Sequence, residues 1–291
     1  MCKGGISFIL NAREEKKMAG ALRPDHSRLY AFALALLLIL VVLWGWLLIG
    51  KKSREAQLIA AIKAGDRAAV EQLLKAGASP DAREGAMRDK LNPIDTGAHP
   101  TALMVAGFQN EPEIVLLLLQ FGAKIGLKDR REDTPLLWAI RGGSVDSCRL
   151  LLDHGADVEE MGGNGRSPLR DAALRGDTAI VSLLLSKGAL ADAADPNGDT
   201  ALMYAADAAT AELLLQSGAN VNAKGTQQLT PLMYAVDSGE PRPALVRLLI
   251  RYKADVHAVD ANGRTALMKA RAHGAGHQEI VEILLAAGAK K

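Results

Sequence analysis

Apolar positions fall into two regimes along this chain. From Leu29 to Gly50 they run almost unbroken, LYAFALALLLILVVLWGWLLIG, 22 residues without a charge. As a helix that stretch spans about 33 Å, the thickness of a bilayer's hydrocarbon core. Beyond it the apolar residues come in short blocks at helical spacing. A tetrapeptide, Thr-Ala-Leu-Met or a near relative, opens a block at Thr101, Thr134, Ser167, Thr200, Thr230 and Thr265, with steps of 33, 33, 33, 30 and 35 residues. A period of this size predicts stacked supersecondary units in place of one globular core.

The stretch from Asp133 to Val158, DTPLLWAIRGGSVDSCRLLLDHGADV, shows what one unit encodes. Thr134 is placed to cap a helix by accepting from a backbone N–H, and Pro135 suits the first helical position, where its missing N–H would have no partner. Leu136, Ala139 and Ile140 then recur at i, i+3 and i+4 to make one apolar face, and Gly142-Gly143 ends the helix. A second helix runs through Val145, Cys148, Leu150, Leu151 and Leu152, with Gly155 as its left-handed stop. Gly162, Gly163, Asn164 and Gly165 favour a tight projecting turn before the next Ser167.

This pattern resembles the ankyrin repeat. The family's Thr-Pro-Leu-His-x-Ala core is matched by Thr-Pro-Leu-Leu-Trp-Ala at Thr134 and Thr-Pro-Leu-Met-Tyr-Ala at Thr230. Its Val-x-Leu-Leu-Leu-x-x-Gly-Ala is matched by VSLLLSKGA from Val181 to Ala189. The resemblance implies an all-α ankyrin-repeat solenoid of helix-turn-helix units with β-turn fingers, preceded here by one transmembrane helix. The expected organisation is an N-terminal segment over 1–28, a membrane helix over 29–50, a capping ankyrin-like unit over 55–83, an inserted finger loop over 84–99 and six repeats over 100–291. Leu58, Ala61, Leu73, Leu74 and Gly77 place the cap in the same register. In the family the motif's His bridges polar groups between repeats. Met104, Met203, Met233 and Met268, with Leu137 and Arg170, stand there instead, so apolar packing is expected to replace that network.

Spacing also locates irregularities. From Gly77 to Thr101 the gap is 24 residues where Gly122 to Thr134 and Gly155 to Ser167 take 12, which lengthens the first finger. The repeat opened by Thr200 is three residues short, and the two after it carry two extra residues between their helices.

The flanks of the 29–50 stretch fit a retained anchor. Arg28 precedes it, Lys51 and Lys52 follow, and Tyr30, Trp44 and Trp46 sit near its ends, as interfacial aromatics do. No small-x-small cleavage site follows, so a signal anchor is expected over a cleaved signal, whose removal would leave a soluble exported ankyrin effector. Lys16, Lys17, Arg23 and Arg28 on one side balance Lys51, Lys52, Arg54 and Lys63 on the other, so charge does not orient the helix. A start at Met18 in place of Met1 removes two of these. An exported array, periplasmic in a bacterium, follows from the usual behaviour of N-terminal signal anchors.

Composition narrows the chemistry. The chain of 291 residues is 49% hydrophobic and 4% aromatic, carries a net charge of +2 and has two cysteines, Cys2 and Cys148. Nothing at that level asks for nucleic acid, and two cysteines make neither a disulfide framework nor a metal-ligand spacing. There is no phosphate-binding Gly loop, no His-Glu-x-x-His and no nucleophile elbow. Asp195-Pro-Asn197-Gly-Asp199 imitates the opening of a calcium loop, but Ala206 stands where the bidentate Glu belongs, so a finger turn is expected. His273 and His277, with Glu279, are the one pairing from which a metal-dependent enzyme could be built, and they fall short of the ligands zinc requires. No catalytic residue, cofactor or metal is assigned, and no enzyme is expected.

What remains is a surface. In ankyrin proteins partner contacts lie on the concave face, at the fingers and on the exposed side of the first helix. By register those places hold Arg130, Arg131, Arg141, Arg166 and Arg175, with Arg170 at the former His position. Trp138, Tyr204 and Tyr234 form an aromatic column beside them, and Asp199, Asp207 and Asp237 follow in later repeats. The expectation is a non-enzymatic membrane scaffold whose partner is a protein with an anionic segment.

Overall fold

The computed structural model describes residues 54–85 and 98–290. The expectations for 1–28, for the membrane helix over 29–50 and for most of the 84–99 insertion lie outside these residues. Among the described residues no helix is long and apolar enough to cross a membrane.

Helices come in consecutive pairs. The first pair is α1 (54–63) and α2 (Arg67–Lys75). Repeat 1 contributes α3 (Ala102–Phe108) and α4 (Pro112–Gln120), repeat 2 α5 (Pro135–Gly142) and α6 (Val145–Asp153), and repeat 3 α7 (Pro168–Arg175) and α8 (Thr178–Ser186). Repeat 4 has a single 3₁₀ turn, Ala201–Tyr204, followed by α9 (Ala208–Gln216). Repeats 5 and 6 supply α10 (Pro231–Val236) with α11 (Pro243–Arg251), and α12 (Ala266–Ala272) with α13 (Gln278–Ala286). From repeat 1 onward each first helix packs on the next first helix, and from α2 onward each second helix on the next second helix, which makes two layers. Leu136, Ile140, Leu151, Ile180 and Leu184 are fully buried between them. The i, i+3, i+4 faces read from the sequence are the faces that meet.

The caps explain where the first helices start. The hydroxyls of Thr101, Thr134, Ser167, Thr230 and Thr265 each accept from the N–H three residues on, at 3.2 to 3.4 Å. Antiparallel bridges Arg83 to Thr101, Ala194 to Thr200 and Val259 to Thr265 close three fingers at their base. At the first of these the Arg83 guanidinium also donates to the carbonyls of His99 (3.1 Å) and Lys128 (3.0 Å), tying the base of the lengthened finger to the next one. The three-residue shortfall of repeat 4 takes its toll on the first helix, which loses its second turn. Thr200 then makes no side-chain cap, and its buried hydroxyl has no partner.

The methionines depart from the expectation of packing alone. Met104, Met203 and Met233 are buried, but the sulfurs of Met104 and Met203 accept from the N–H of Thr101 at 3.3 Å and Thr200 at 3.4 Å. The thioether, a weak acceptor, answers a backbone donor at the helix start. Met268, in the last repeat, is 52% exposed.

Second helices end on a left-handed residue, as at Gly155 (φ +95°) and Gly188 (φ +93°). In repeat 5 that place is taken by Lys253, with φ +69°. A side chain with a Cβ pays roughly 1 kcal/mol or more for this conformation. Lys253→Gly is therefore expected to stabilise the array by about 1 kcal/mol, read as a higher urea midpoint at unchanged slope. A lower midpoint would mean that the lysine side chain more than offsets its backbone strain.

Candidate partner-binding face

Each first helix presents two positions to the same side, four and seven residues past its capping Thr or Ser. Down the array the nearer position carries Val105, Trp138, Asp171, Tyr204, Tyr234 and Lys269. The farther carries Phe108, Arg141, Leu174, Asp237 and Ala272 in repeats 1, 2, 3, 5 and 6, and is missing from repeat 4, whose first turn ends at Tyr204. The fingers add Arg130, Arg131 and Arg166. The structure divides these residues into a group that holds repeats together and a group left on the surface.

The first group is built around buried carboxylates. Asp133 and Asp171, each almost fully buried, grip Arg141 from two repeats, with Nη1 2.5 Å from Asp133 and Nε 3.0 Å from Asp171. Burial works against the Arg141 charge, but the two carboxylates outweigh it and raise its pKa. Arg170 pairs with buried Asp195 and lies over the Tyr204 ring, 3.8 Å from its centroid. Both Tyr204 and Tyr234 donate to one oxygen of Asp199, at 2.7 and 2.9 Å, and the Thr226 N–H donates to the other at 2.7 Å. Burial pushes the Asp199 carboxyl up, yet these donors prevail and hold it below the usual range, while burial and the carboxylate together raise the Tyr234 phenol. In the last repeat, Lys269 is buried between Asp237 (3.1 Å) and Asp260 (3.4 Å).

Arg141, Arg170, Tyr204 and Tyr234, which register alone places on the binding face, are thus bonded inside the array, although the buried Nε of Arg170 has no hydrogen-bond partner. Trp138 is intermediate. Its Nε1 donates to Asp129 at 3.0 Å, while its half-buried ring meets Phe108 edge-on with centroids 5.7 Å apart. Gly142 permits this packing, because a Cβ there would lie 2.3 Å from the Phe108 carbonyl oxygen. Arg130, Arg131 and Arg175 are exposed and Arg166 is half-buried. Phe108 and Leu174 are 45% and 49% exposed. Sequence reasoning passed over both, although the seven-residue offset that singled out Arg141 also points to them.

The acidic later repeats are largely neutralised. Asp199 is buried in its tyrosine pair, Asp207 caps α9 through the Thr210 N–H at 2.8 Å, and Asp237 faces Lys269 and His273. Asp195 accepts from the N–H groups of Asn197 (2.8 Å) and Asp199 (3.0 Å), the geometry of a finger turn. His273 and His277 stack with centroids 4.4 Å apart, and Glu279 turns away to Arg247 at 3.1 Å. Among the described residues no group of three or more His, Cys, Asp and Glu side chains could hold a metal, so the metal-enzyme alternative gains no support. Cys148 is fully buried, and desolvation pushes its thiol up to about 12, which suits a core residue.

Comparison with known proteins supports the same architecture. A family model described as Ankyrin repeats (3 copies) matches residues 58–162, 158–225 and 209–291. The chain is 39% identical over 106 residues to the B-cell lymphoma 3 protein homolog of Mus musculus, covering 36% of this chain and 24% of that protein. It is 33% identical over 165 residues to Ankyrin repeat and SOCS box protein 18 of Homo sapiens, covering 56% of this chain and 33% of the relative. The chain thus spans a third or less of these relatives. The crystal structure of the ankyrin repeat domain of Bcl-3 aligns with a TM-score of 0.60 at 30% identity, over 79% of this chain and 97% of that domain. The human ASB11 ankyrin repeat domain aligns with a TM-score of 0.66 at 24% identity, over 80% and 98%, which speaks for the fold alone.

Two predictions follow from the carboxylates. Tyr234→Phe removes a hydrogen bond to a buried charge and is expected to cost about 1.5 kcal/mol by urea unfolding. With Tyr204→Phe added, the combined loss departs from the sum of the single losses, since both phenols serve one oxygen. Asp199, Asp237 and Asp260 are all held below the ordinary carboxylate range. At Asp260, burial is outweighed by the N–H groups of Arg264 and Asn262 and by the Arg264 and Lys269 side chains, and its pKa falls to about 2. A depressed folded pKa contributes stability above the unfolded value of about 3.9 and loses it as pH falls through the folded one. The urea midpoint should therefore drop between about pH 4 and pH 2, and drop less in Asp260→Asn.

Proposed function

The chain belongs to the ankyrin-repeat family, and from that membership we propose that it acts as a non-enzymatic, membrane-anchored scaffold that captures another protein on the face of its first helices and fingers. The observation that carries this reading is the division of that face. Arg141, Arg170, Tyr204 and Tyr234 hold repeats together, whereas Phe108, Leu174, Arg130 and Arg175 stand exposed on the same side without an ion pair among the described residues. Large apolar side chains beside arginines are the residue types that anchor protein interfaces. In this reading the anchor is residues 29–50, whose length and lack of charge suit a bilayer span, and the array stands on the exported side, as is usual for N-terminal signal anchors.

A photo-crosslinking residue at Leu174 is expected to give a discrete adduct in intact cells, and the same residue at Ser182, exposed on the outer helix α8, is expected to give none. Equal labelling from both places would sink the face assignment. Full-length protein should stay with membranes through alkaline carbonate extraction, and deletion of 29–50 should release it. A reporter fused after Lys291 that is active only in the cytoplasm would reverse the topology.

A further inference from the structure

At the place seven residues past the cap, the exposed large apolar side chains lie in the earlier repeats, whereas Met268, exposed in the last repeat, stands three residues past its cap. Phe108 and Leu174 take that place in repeats 1 and 3 and Asp237 takes it in repeat 5, while repeat 4, whose first turn ends at Tyr204, has no residue there. Arg141 lies between Phe108 and Leu174, fixed by Asp133 and Asp171, so it bridges them without a free charge. Trp138 connects this ledge to the fingers: its ring meets Phe108, and its Nε1 bonds Asp129, whose other oxygen accepts from the Arg131 N–H at 2.8 Å. The next finger adjoins, with the Gly163 N–H donating to the Arg131 carbonyl at 3.2 Å and the Gly162 N–H to that of Arg166 at 3.1 Å. Arg130 and Arg166 therefore sit on neighbouring fingers at one side of the ledge, and Arg175 follows Leu174 at the end of α7. The nearby carboxylates are mostly engaged. Asp129, Asp133 and Asp171 are buried and Glu160 pairs with Lys128 at 2.9 Å, which leaves Glu132 as the exposed acid of the 128–133 finger.

We propose that this patch receives an acidic peptide segment in which large apolar side chains are flanked on both sides by Asp or Glu. The proposal rests on the scaffold reading above and specifies its partner. The apolar residues cover Phe108, Trp138 and Leu174, and the flanking carboxylates meet Arg130 and Arg166 on one side and Arg175 on the other. Guanidinium groups suit carboxylates because both are planar and their bonds are charge-assisted. The same charges disfavour a basic segment, so electrostatics selects the partner while apolar contact holds it.

The test uses the purified full chain in detergent and fluorescein-labelled synthetic peptides read by anisotropy. One peptide has a central Leu-Phe flanked by glutamates, a second replaces Leu-Phe by Ser-Ser, a third replaces the glutamates by lysines, and a single-stranded oligonucleotide serves as polyanion without an apolar anchor. The acidic Leu-Phe peptide is expected to bind, with affinity weakened about tenfold by Ser-Ser, by Phe108→Ser and by Leu174→Ser. The two variants guard against misfolding of either, with helicity checked by circular dichroism. Arg130→Glu combined with Arg166→Glu should reverse the preference toward the lysine-flanked peptide. Equal binding of the Ser-Ser peptide, an oligonucleotide that binds as tightly as the acidic peptide, or indifference to the double reversal would each overturn the proposal. Should the Leu174 crosslink form in cells while the acidic peptide fails, the scaffold reading stands and this partner chemistry falls.

Discussion

A pair of helices of six to ten residues has more apolar surface than it can bury within itself, and everything else in this array depends on that shortage. Leu136 and Ile140 on α5 are removed from water by α3 and α7, and Leu151 on α6 by α4 and α8. Isolated helices this short are marginal in water, so stacking supplies most of the stability of each one. The caps make stacking reproducible, because a hydroxyl that fixes the first turn also fixes which residues face the neighbour. Where the chain loses three residues in repeat 4, the stacked faces survive and the helix itself gives way to a 3₁₀ turn.

Apolar stacking tolerates sliding, and a second system of contacts restricts it. Asp133 and Asp171 share Arg141, Asp199 draws in Tyr204 and Tyr234, and Asp237 and Asp260 enclose Lys269. Each group joins residues from successive repeats through carboxylates that are buried, except the exposed Asp237. Breaking such a pair from one side leaves an uncompensated charge, so register slips are penalised. In the ankyrin family a motif histidine provides polar bridging. Here methionine sulfur meets two of the local donors and the finger aspartates take over the contacts between repeats.

The division of labour along the first helices gives the face its character. A side chain that completes a bridge between repeats is unavailable to a partner, and a side chain left over is available by default. Arg141 and Arg130 differ in this respect although both are arginines on the same side. The leftover residues in the earlier repeats are apolar and basic, and the later repeats have spent their acids on Tyr204, Tyr234 and Lys269. An otherwise regular scaffold thereby acquires one chemically distinct region.

The period of Thr101, Thr134 and Ser167, the caps, the helix faces and the solenoid were all legible in the chain, because each depends on residues within one repeat and on spacings that backbone geometry dictates. The 29–50 stretch was legible as an apolar span for the same local reason. The candidate face was half legible. Register put Arg130, Arg141, Trp138 and Tyr234 on one side, but it could not say that Asp171, thirty residues on, would neutralise Arg141, or that Asp199 would take both tyrosines. Nor did it mark Phe108 and Leu174, whose exposure depends on what the neighbouring repeat leaves uncovered. Local sequence determined which elements form and which way they face. Tertiary structure decided which of the outward-facing groups find a partner in the next repeat, since burial and pairing belong to the contact between repeats and to neither repeat alone.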